Sequence, residues 1–391
     1  MLKKLVYAGS QSASFVQATK DLLVLAEVQV SRERVQRWTK RIGEERVAEV
    51  EAAATSYQRM SLPARRSSPT DQSPQVACVQ MDGGRIQIRD RQQSGSGEDD
   101  ANGYWRESLV GCCVSMHSQE HAEDPCPTIP KTFVDQARMS KLGREIKGFS
   151  TSLEVAEKSP EELPDDASDK PKVLVRSVLA TRQGLDLFGQ RLVAAAHARG
   201  FHAARRKAFV ADGSASNWSV HRKHFSHYTP VLDFTHAICY VYAAAMAGRS
   251  TCEGWRDYQQ WAQWLWEGST GKLIEAAHRR SEELGSPREE DSDTSSRKIV
   301  AEALGYLKNQ RSRMKYADYR RLGLPITSSH VESTIKQINR RVKGSEKFWD
   351  QGAEPLLQLT ADHLSETSDL DRFWTNRPSR LHPMRCYQTA A

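Results

Sequence analysis

Apolar positions along the chain switch between helical and strand spacing, and the switches divide it. In residues 12–55, Phe15, Ala18, Leu22 and Leu23 recur at helical spacing. Val28-Gln29-Val30 then leads to Ser31, an N-cap residue type, after which Val35, Trp38 and Ile42 form one apolar stripe that Gly43 can stop. Further on, Val76 to Asp82 is a short apolar run ending in an acid; Gly83-Gly84 predicts a tight turn, and Arg85 to Arg89 alternates as a hairpin partner should. Leu109 to Met116 predicts a third strand, and residues 176–199 a helix ending at Gly200. Ala208 to Asp212 is a second apolar run closed by an acid, followed by a polar helix and a last strand, Pro230 to Phe234. The order β-β-β, helix, β, helix, β, then helices predicts an α/β fold with antiparallel strands first and crossovers after, the layout of a ribonuclease H-like mixed sheet flanked by helices.

Polar stretches mark the boundaries. Residues 58–75 are rich in Ser and Pro and read as a linker, and 118–130, 155–171 and 282–297 read as surface loops. The chain divides into a helical region 1–57, the linker 58–75, an α/β core 76–236, an all-α insertion 237–310, a basic segment 311–350 that returns to the core, and a C-terminal tail 351–391. In 1–57, Arg32, Arg34, Arg37, Lys40 and Arg41 surround the apolar stripe. A basic helix after a capped turn is the pattern of a helix-turn-helix DNA reader; a helical bundle with a solvated basic face is the other reading. Residues 255–266 hold four Trp, a helical core seam with Trp264 as the ring to watch for base stacking.

Composition narrows the class. The 391 residues carry 56 Lys+Arg against 49 Asp+Glu, a net charge of +7, and 38% are hydrophobic. The seven cysteines form no Cys-x-x-Cys pair, so a disulfide scaffold and a zinc ribbon are excluded and reduced, intracellular thiols are expected. The longest apolar stretch, Ala237 to Ala247, is too short to span a bilayer, so a cytoplasmic protein with no membrane partner is expected. The charge is not spread evenly. Between Arg311 and Lys347 there are ten Lys/Arg against three acids, which equals the excess of the whole chain and suggests a polyanion partner.

One of those acids, Glu332, sits where the segment enters a helix. Val331, Ile335, Ile338 and Val342 make the core stripe, and Glu332, Lys336, Asn339 and Lys343 share another face. A carboxylate followed by cations can hold a metal and contact phosphates, but Ser329-x-x-Glu332 is also a capping box that would explain the glutamate without chemistry. Asp82-Gly83 and Asp212-Gly213 each put a carboxylate at a strand end beside a residue small enough for a polyanion to approach; a plain turn residue is the alternative.

Three blocks in order, VQMDGG, AFVADGSASNW with VLDFTH, and YRRLGLPITSSHVESTIKQINRRVKGSEKFW, resemble those of the DDE transposases of bacterial insertion sequences, in particular the ISKra-type group related to mutator-like elements. The resemblance covers roughly residues 70–350. It implies that Asp82, Asp212 and Glu332 are the catalytic and metal-binding triad, and that Asp233-x-x-His236 is an accessory position. Oxygen ligands of this kind suit Mg²⁺ or Mn²⁺, two ions serving one displacement: Asp82 would bridge both, Asp212 hold one and Glu332 the other. Lys336, Arg340, Arg341 and Lys343, with Arg320 and Arg321, would bind DNA. Transposon-end DNA, target DNA and further copies of the chain are the implied partners, at the bacterial nucleoid. A ribonuclease H-like nuclease that cuts without joining, and an inactive DNA-binding relic, carry nearly the same signals.

Overall fold

The apolar runs build one five-stranded mixed sheet. The computed structural model describes residues 1–69, 73–88, 105–149, 170–344, 347, 349 and 352–381. Ahead of the sheet come helices α1 (Leu2–Gln11), α2 (Phe15–Ala26), α3 (Arg32–Arg59) and the short α4 (Leu62–Arg66), which interrupts the expected linker. The strands are β1 (Val76–Gln87), β2 (Trp105–His117), β3 (Lys172–Thr181), β4 (Arg206–Ala211) and β5 (Thr229–Leu232), in spatial order β3-β2-β1-β4-β5. β1, β2 and β3 are antiparallel, whereas β1, β4 and β5 run parallel. Helix α5 (Gln136–Lys147) lies between β2 and β3 in sequence, α6 (Leu185–Ala198) and α7 (Ala215–His224) follow β3 and β4, and α8 (Phe234–Met246) follows β5. Four more helices, α9 (Thr251–Trp266), α10 (Thr270–Leu284), α11 (Ser296–Gln310) and α12 (Tyr316–Arg321), precede α13 (Ser329–Val342), which returns to the sheet; α14 (Ala353–Leu364) and α15 (Asp369–Leu381) end the described chain. The expected insertion is therefore all-helical.

Two of the expected strands are one. Gly83 and Gly84 pair in register with Leu109 and Ser108, so β1 runs straight through them instead of turning. Glycine tolerates a turn but does not require one, and the partner strand decides. Arg89, the end of the expected hairpin partner, lies outside the described residues, as do most of the 155–171 stretch and Cys386. Residues 176–181, expected to begin a helix, finish β3; the β-branched Val173, Val175 and Val178 favour the pleated sheet, and the helix begins only at Leu185.

Helix α3 also outruns its expected stop. Ser31 caps it, its Oγ accepting from the amide of Arg34 at 3.3 Å, but the helix continues through Gly43 to Arg59. Gly43 faces α14, and a Cβ there would lie 2.4 Å from the carbonyl oxygen of Pro355. The glycine is thus a contact point between two helices. The supposed tail 351–391 contributes a core helix: Leu356, Leu357 and Leu359 of α14 are buried, each contributing roughly 1.5–3 kcal/mol of apolar transfer. Leu5, Ala8, Ala18, Leu22 and Val35 form a separate small core that holds α1, α2 and the start of α3 together.

The two faces of the sheet carry different helices. Gly111 of β2 lets α6 approach, since a Cβ there would lie 2.8 Å from Leu192 Cδ1. Its neighbour Cys112 points the other way, 3.6 Å from the Thr334 hydroxyl of α13. Among the described residues no helix is long and apolar enough to cross a membrane.

Candidate active site

The parallel pairing of β1 with β4 ends at Gln80 opposite Val210. Asp82 and Asp212 each follow two residues later, so they sit at the same level of neighbouring strands, whose spacing is about 4.8 Å. Asp82 shares the face of β1 with Gln80 and Gly84, and α13 crosses that face: the Val331 amide meets Gln80, and Ile335 Cγ2 lies 3.8 Å from where a Gly84 Cβ would be. Glu332 follows Val331 on the helix that crosses this face. Asp82 is inside its strand rather than at its tip; only the β4 side has ended there.

Asp82 lies within the field of its neighbours. Burial first, then the charge of Asp212 and more weakly that of Glu332, push the Asp82 carboxyl up to about 6, against relief from the Gly83 amide and His236. Glu332 is also raised, by burial and by Asp233, against relief from His236, Ser328 and Lys336. Like charges held together in a half-buried site are costly unless a cation sits among them. His236 partly meets that need. Burial disfavours its charged form, but the hydrogen bond and charge of Asp233, with the charges of Asp212 and Glu332, raise it to about 9.

Local contacts orient each acid. Asp212 Oδ1 accepts from the Ser214 amide at 2.9 Å and from Asn217 Nδ2 at 2.7 Å. Gly213 is small for a reason other than ligand approach: a Cβ there would lie 2.1 Å from Tyr306 Cε2 of α11. Gln310, at the end of α11, donates from Nε2 to the Gly213 carbonyl at 3.1 Å. The insertion therefore grips the turn that carries Asp212.

The capping-box explanation of Glu332 fails. Helix α13 starts at Ser329 with Ser328 as N-cap, and no side chain of the cap bonds an amide of the first turn. The Ser328 hydroxyl lies 2.7 Å from Asp233 Oδ2 and 3.1 Å from Glu332 Oε1. A hydroxyl has one proton, so it serves one carboxylate at a time.

Asp233, His236 and Glu332 bring one ligand atom each within 4.8 Å of one another, a group that could hold a metal. Asp233 is fully buried and its oxygens are already engaged. Oδ1 accepts from the His236 amide at 2.8 Å and faces His236 Nδ1 at 3.1 Å, while Oδ2 accepts from the Ser328 amide and hydroxyl. Those four contacts use the lone pairs of a carboxylate. Burial alone would raise Asp233, and these donors, with the charge of His236, instead hold it below the usual carboxylate range. Asp233 therefore orients His236 and the start of α13. Asp82, Asp212 and Glu332 are the further carboxylates here, although among the described residues their oxygens do not form a group as close as that of Asp233, His236 and Glu332. Their hard-oxygen chemistry fits Mg²⁺ or Mn²⁺.

The basic residues divide. Lys336, Arg340 and Lys343 are exposed along α13, and Arg321 is exposed on α12. Arg341 is buried, donating to the Gly9 carbonyl from Nη2 at 2.9 Å and lying over the rings of Phe15 and Trp349; burial lowers its guanidinium to about 10. Arg320 clasps Asp124 from Nε at 2.9 Å and stacks 3.9 Å over Trp266. Both are corrected from DNA contacts to structural ties, because long cationic side chains also satisfy buried carbonyls and carboxylates. Of the Trp cluster, Trp261 and Trp266 are buried and Trp255 and Trp264 pack partly against the same core, as a core seam should.

Sequence reasoning missed Gln80, Asn217, Tyr306, Gln310 and Ser328. Gln80 had a signal, a polar residue inside the apolar run Val76 to Met81. Compared with known proteins, the chain matches no family model and no curated protein.

Proposed function

We propose that this chain is a metal-dependent DNA transposase of the DDE type, built on a ribonuclease H-like core. The observation that carries the reading is that Asp82 and Asp212 stand at one level of neighbouring parallel strands, while α13, laid over β1 and β2, brings Glu332 to the same face of β1. The strand order β3-β2-β1-β4-β5, three strands antiparallel and two crossovers parallel, agrees with that core. Asp82, Asp212 and Glu332 would hold the ions, and cations there would offset the charge of Asp212 that, after burial, raises the Asp82 carboxyl. Two Mg²⁺ or Mn²⁺ ions there would supply Lewis acidity to the attacking and leaving oxygens of a phosphodiester.

The other residues bind and orient. His236, cationic at neutral pH, adds positive charge beside the acids. Asp233 and Ser328 fix the start of α13. Lys336, Arg340 and Lys343 bind backbone phosphates leading away from Glu332, and the exposed arginines at the start of α3 extend the contact to DNA ends. The substrates are the ends of the mobile element and then target DNA, held by more than one copy of the chain.

The test uses duplex DNA carrying the sequences that flank this reading frame. With Mg²⁺ or Mn²⁺ the purified protein should nick at the element boundary, and pre-cut ends with free 3′-hydroxyls should be joined to a plasmid. Asp82→Asn should abolish both while leaving DNA binding within a few-fold. Cutting without joining would make the protein a nuclease; cutting by the Asp82→Asn protein would remove the assignment.

A further inference from the structure

Gln80 lies in the middle of β1, with no exposed surface, among Cys78, Val79 and Met81. Both ends of its amide are used on the same distant segment. Nε2 donates to the Thr327 carbonyl at 3.1 Å, and Oε1 accepts from the Val331 amide at 3.1 Å. Glu332 is the next residue. Two positions further along the same face of the strand is Asp82.

This contact replaces the cap that α13 lacks. The first amides of a helix have no partner within it and are usually met by the N-cap side chain. Ser328 sends its hydroxyl to the acids instead. Gln80 therefore supplies from another part of the chain what a local serine or aspartate usually provides. An apolar residue at 80 would suit the surrounding run, but it would take the partner from the half-buried Thr327 carbonyl and leave the Val331 amide only the Ser328 carbonyl, 3.0 Å away, at the base of Glu332.

The geometry points to Gln80 as a positioning residue that locks the helix of Glu332 onto the strand of Asp82, and so sets the separation of two of the metal-binding carboxylates. The inference rests on the metal-site reading above and adds what holds that site to its dimensions. A fixed spacing matters because a small divalent ion demands near-ideal ligand placement, and a loosened shell costs affinity before it costs fold.

The test compares the full-length wild type with Gln80→Met, which keeps length and volume but has no amide. Phe188→Leu, on the opposite face of the sheet, serves as a control for general loss of stability. Three quantities are read: hydrogen exchange over residues 327–334, Mn²⁺ affinity by calorimetry, and the Mn²⁺ dependence of DNA cleavage. Gln80→Met should keep the exchange protection of β1 and β4, lose protection at Val331 and Glu332, and bind Mn²⁺ at least tenfold more weakly. Its cleavage should recover in part at high Mn²⁺, the half-saturating concentration rising more than the maximal rate falls. Phe188→Leu should lower the melting temperature with Mn²⁺ affinity unchanged. A Gln80→Met protein with wild-type exchange over 327–334, or with wild-type Mn²⁺ affinity despite a lower melting temperature, overturns the proposal. If the wild type itself binds no Mn²⁺, the metal reading falls, and the exchange result alone then decides whether Gln80 clamps α13.

Discussion

Asp82 and Asp212 stand two residues beyond the last paired positions of adjacent parallel strands, so neither can leave the other's field without breaking the sheet. Burial first, and then that field, raise the Asp82 carboxyl. The sign is definite. The native state holds the proton more tightly than the unfolded chain, so this group favours folding most at low pH, and stability is lost as pH rises from about 4 to about 6. Asp82→Asn removes the repulsion. It should abolish divalent-cation binding, and at pH 8 without metal it should raise stability by ~1–2 kcal/mol, after allowance for solvent screening. Denaturant titrations at pH 4, 6 and 8 check this. In the wild type, Mn²⁺ competes with the same proton, so Mn²⁺ affinity should climb as pH passes about 6.

The cations of α13 should separate into two behaviours. Lys336, Arg340 and Lys343 are exposed, and replacing each with Gln should weaken DNA binding while leaving the melting temperature almost unchanged. Each lost phosphate contact should reduce the slope of log affinity against log salt by about 0.9. Arg341→Gln should do the reverse, because its guanidinium holds the Gly9 carbonyl: it costs about 2–3 kcal/mol of stability, and the salt slope stays as in the wild type. Titrations at three salt concentrations beside thermal melts separate the two groups.

Gly43 joins the N-terminal helices to the core. A Cβ there meets the Pro355 backbone, which cannot swing aside as a side chain could. Gly43→Ala should therefore destabilise by roughly 3 kcal/mol or more, although alanine favours helix by about 1 kcal/mol elsewhere. Limited proteolysis should find α3 and α14 cut first. If the variant melts with the wild type, the helix contact is looser than its geometry implies.

Much of the sheet was legible because β1, β4 and β5 carry apolar runs that lead to an acid, and a strand buried on both faces has little choice but to read as an apolar run. Asp82, Asp212 and Glu332 stood out for the same reason, as charges beside hydrophobic runs. What failed to show were pairings between distant residues. Gly83-Gly84 is a turn by composition and a strand by its pairing with β2. Gly43 is a helix stop by composition and a helix contact once α14 arrives. Residues 176–181 fit either period until β2 selects the strand. Arg341 and Arg320 look identical in sequence to their exposed neighbours, and only burial tells a phosphate ligand from a tie to a carbonyl.

A second pH effect lies far from the acids. His363 on α14 packs edge-on against Tyr7, with ring centroids 5.0 Å apart, and its Nε2 is buried without a hydrogen-bond partner. Burial, with help from the charge of Lys3, pushes its imidazole down to about 4. The depressed value makes its contribution full above about 6.5 and lost as pH falls toward 4, worth about 2–3 kcal/mol at most. Several other histidines are lowered too, so the wild-type decline is shared, and the difference between variants isolates this one. His363→Leu should flatten the fall in stability between pH 6.5 and 4 by that amount. Equal slopes for the two proteins would mean that the ring is solvated.

The insertion grips the turn that carries Asp212. Tyr306 occupies the space a side chain at 213 would need, and its ring stacks on Tyr240 with centroids 3.6 Å apart, so it has little freedom to move. Gly213→Ala must therefore displace the turn that aims Asp212. Mn²⁺ affinity should fall tenfold or more, with little change in far-ultraviolet circular dichroism. Adding Tyr306→Ala opens the space and should restore part of that affinity, an interaction energy of roughly 1 kcal/mol or more in the double-mutant cycle. Gln310→Leu, which removes the bond to the Gly213 carbonyl, should weaken Mn²⁺ binding in the same direction by a smaller factor. If the double variant is as weak as Gly213→Ala alone, the tyrosine is not what confines the turn, and the insertion would then have no demonstrated hold on the acids.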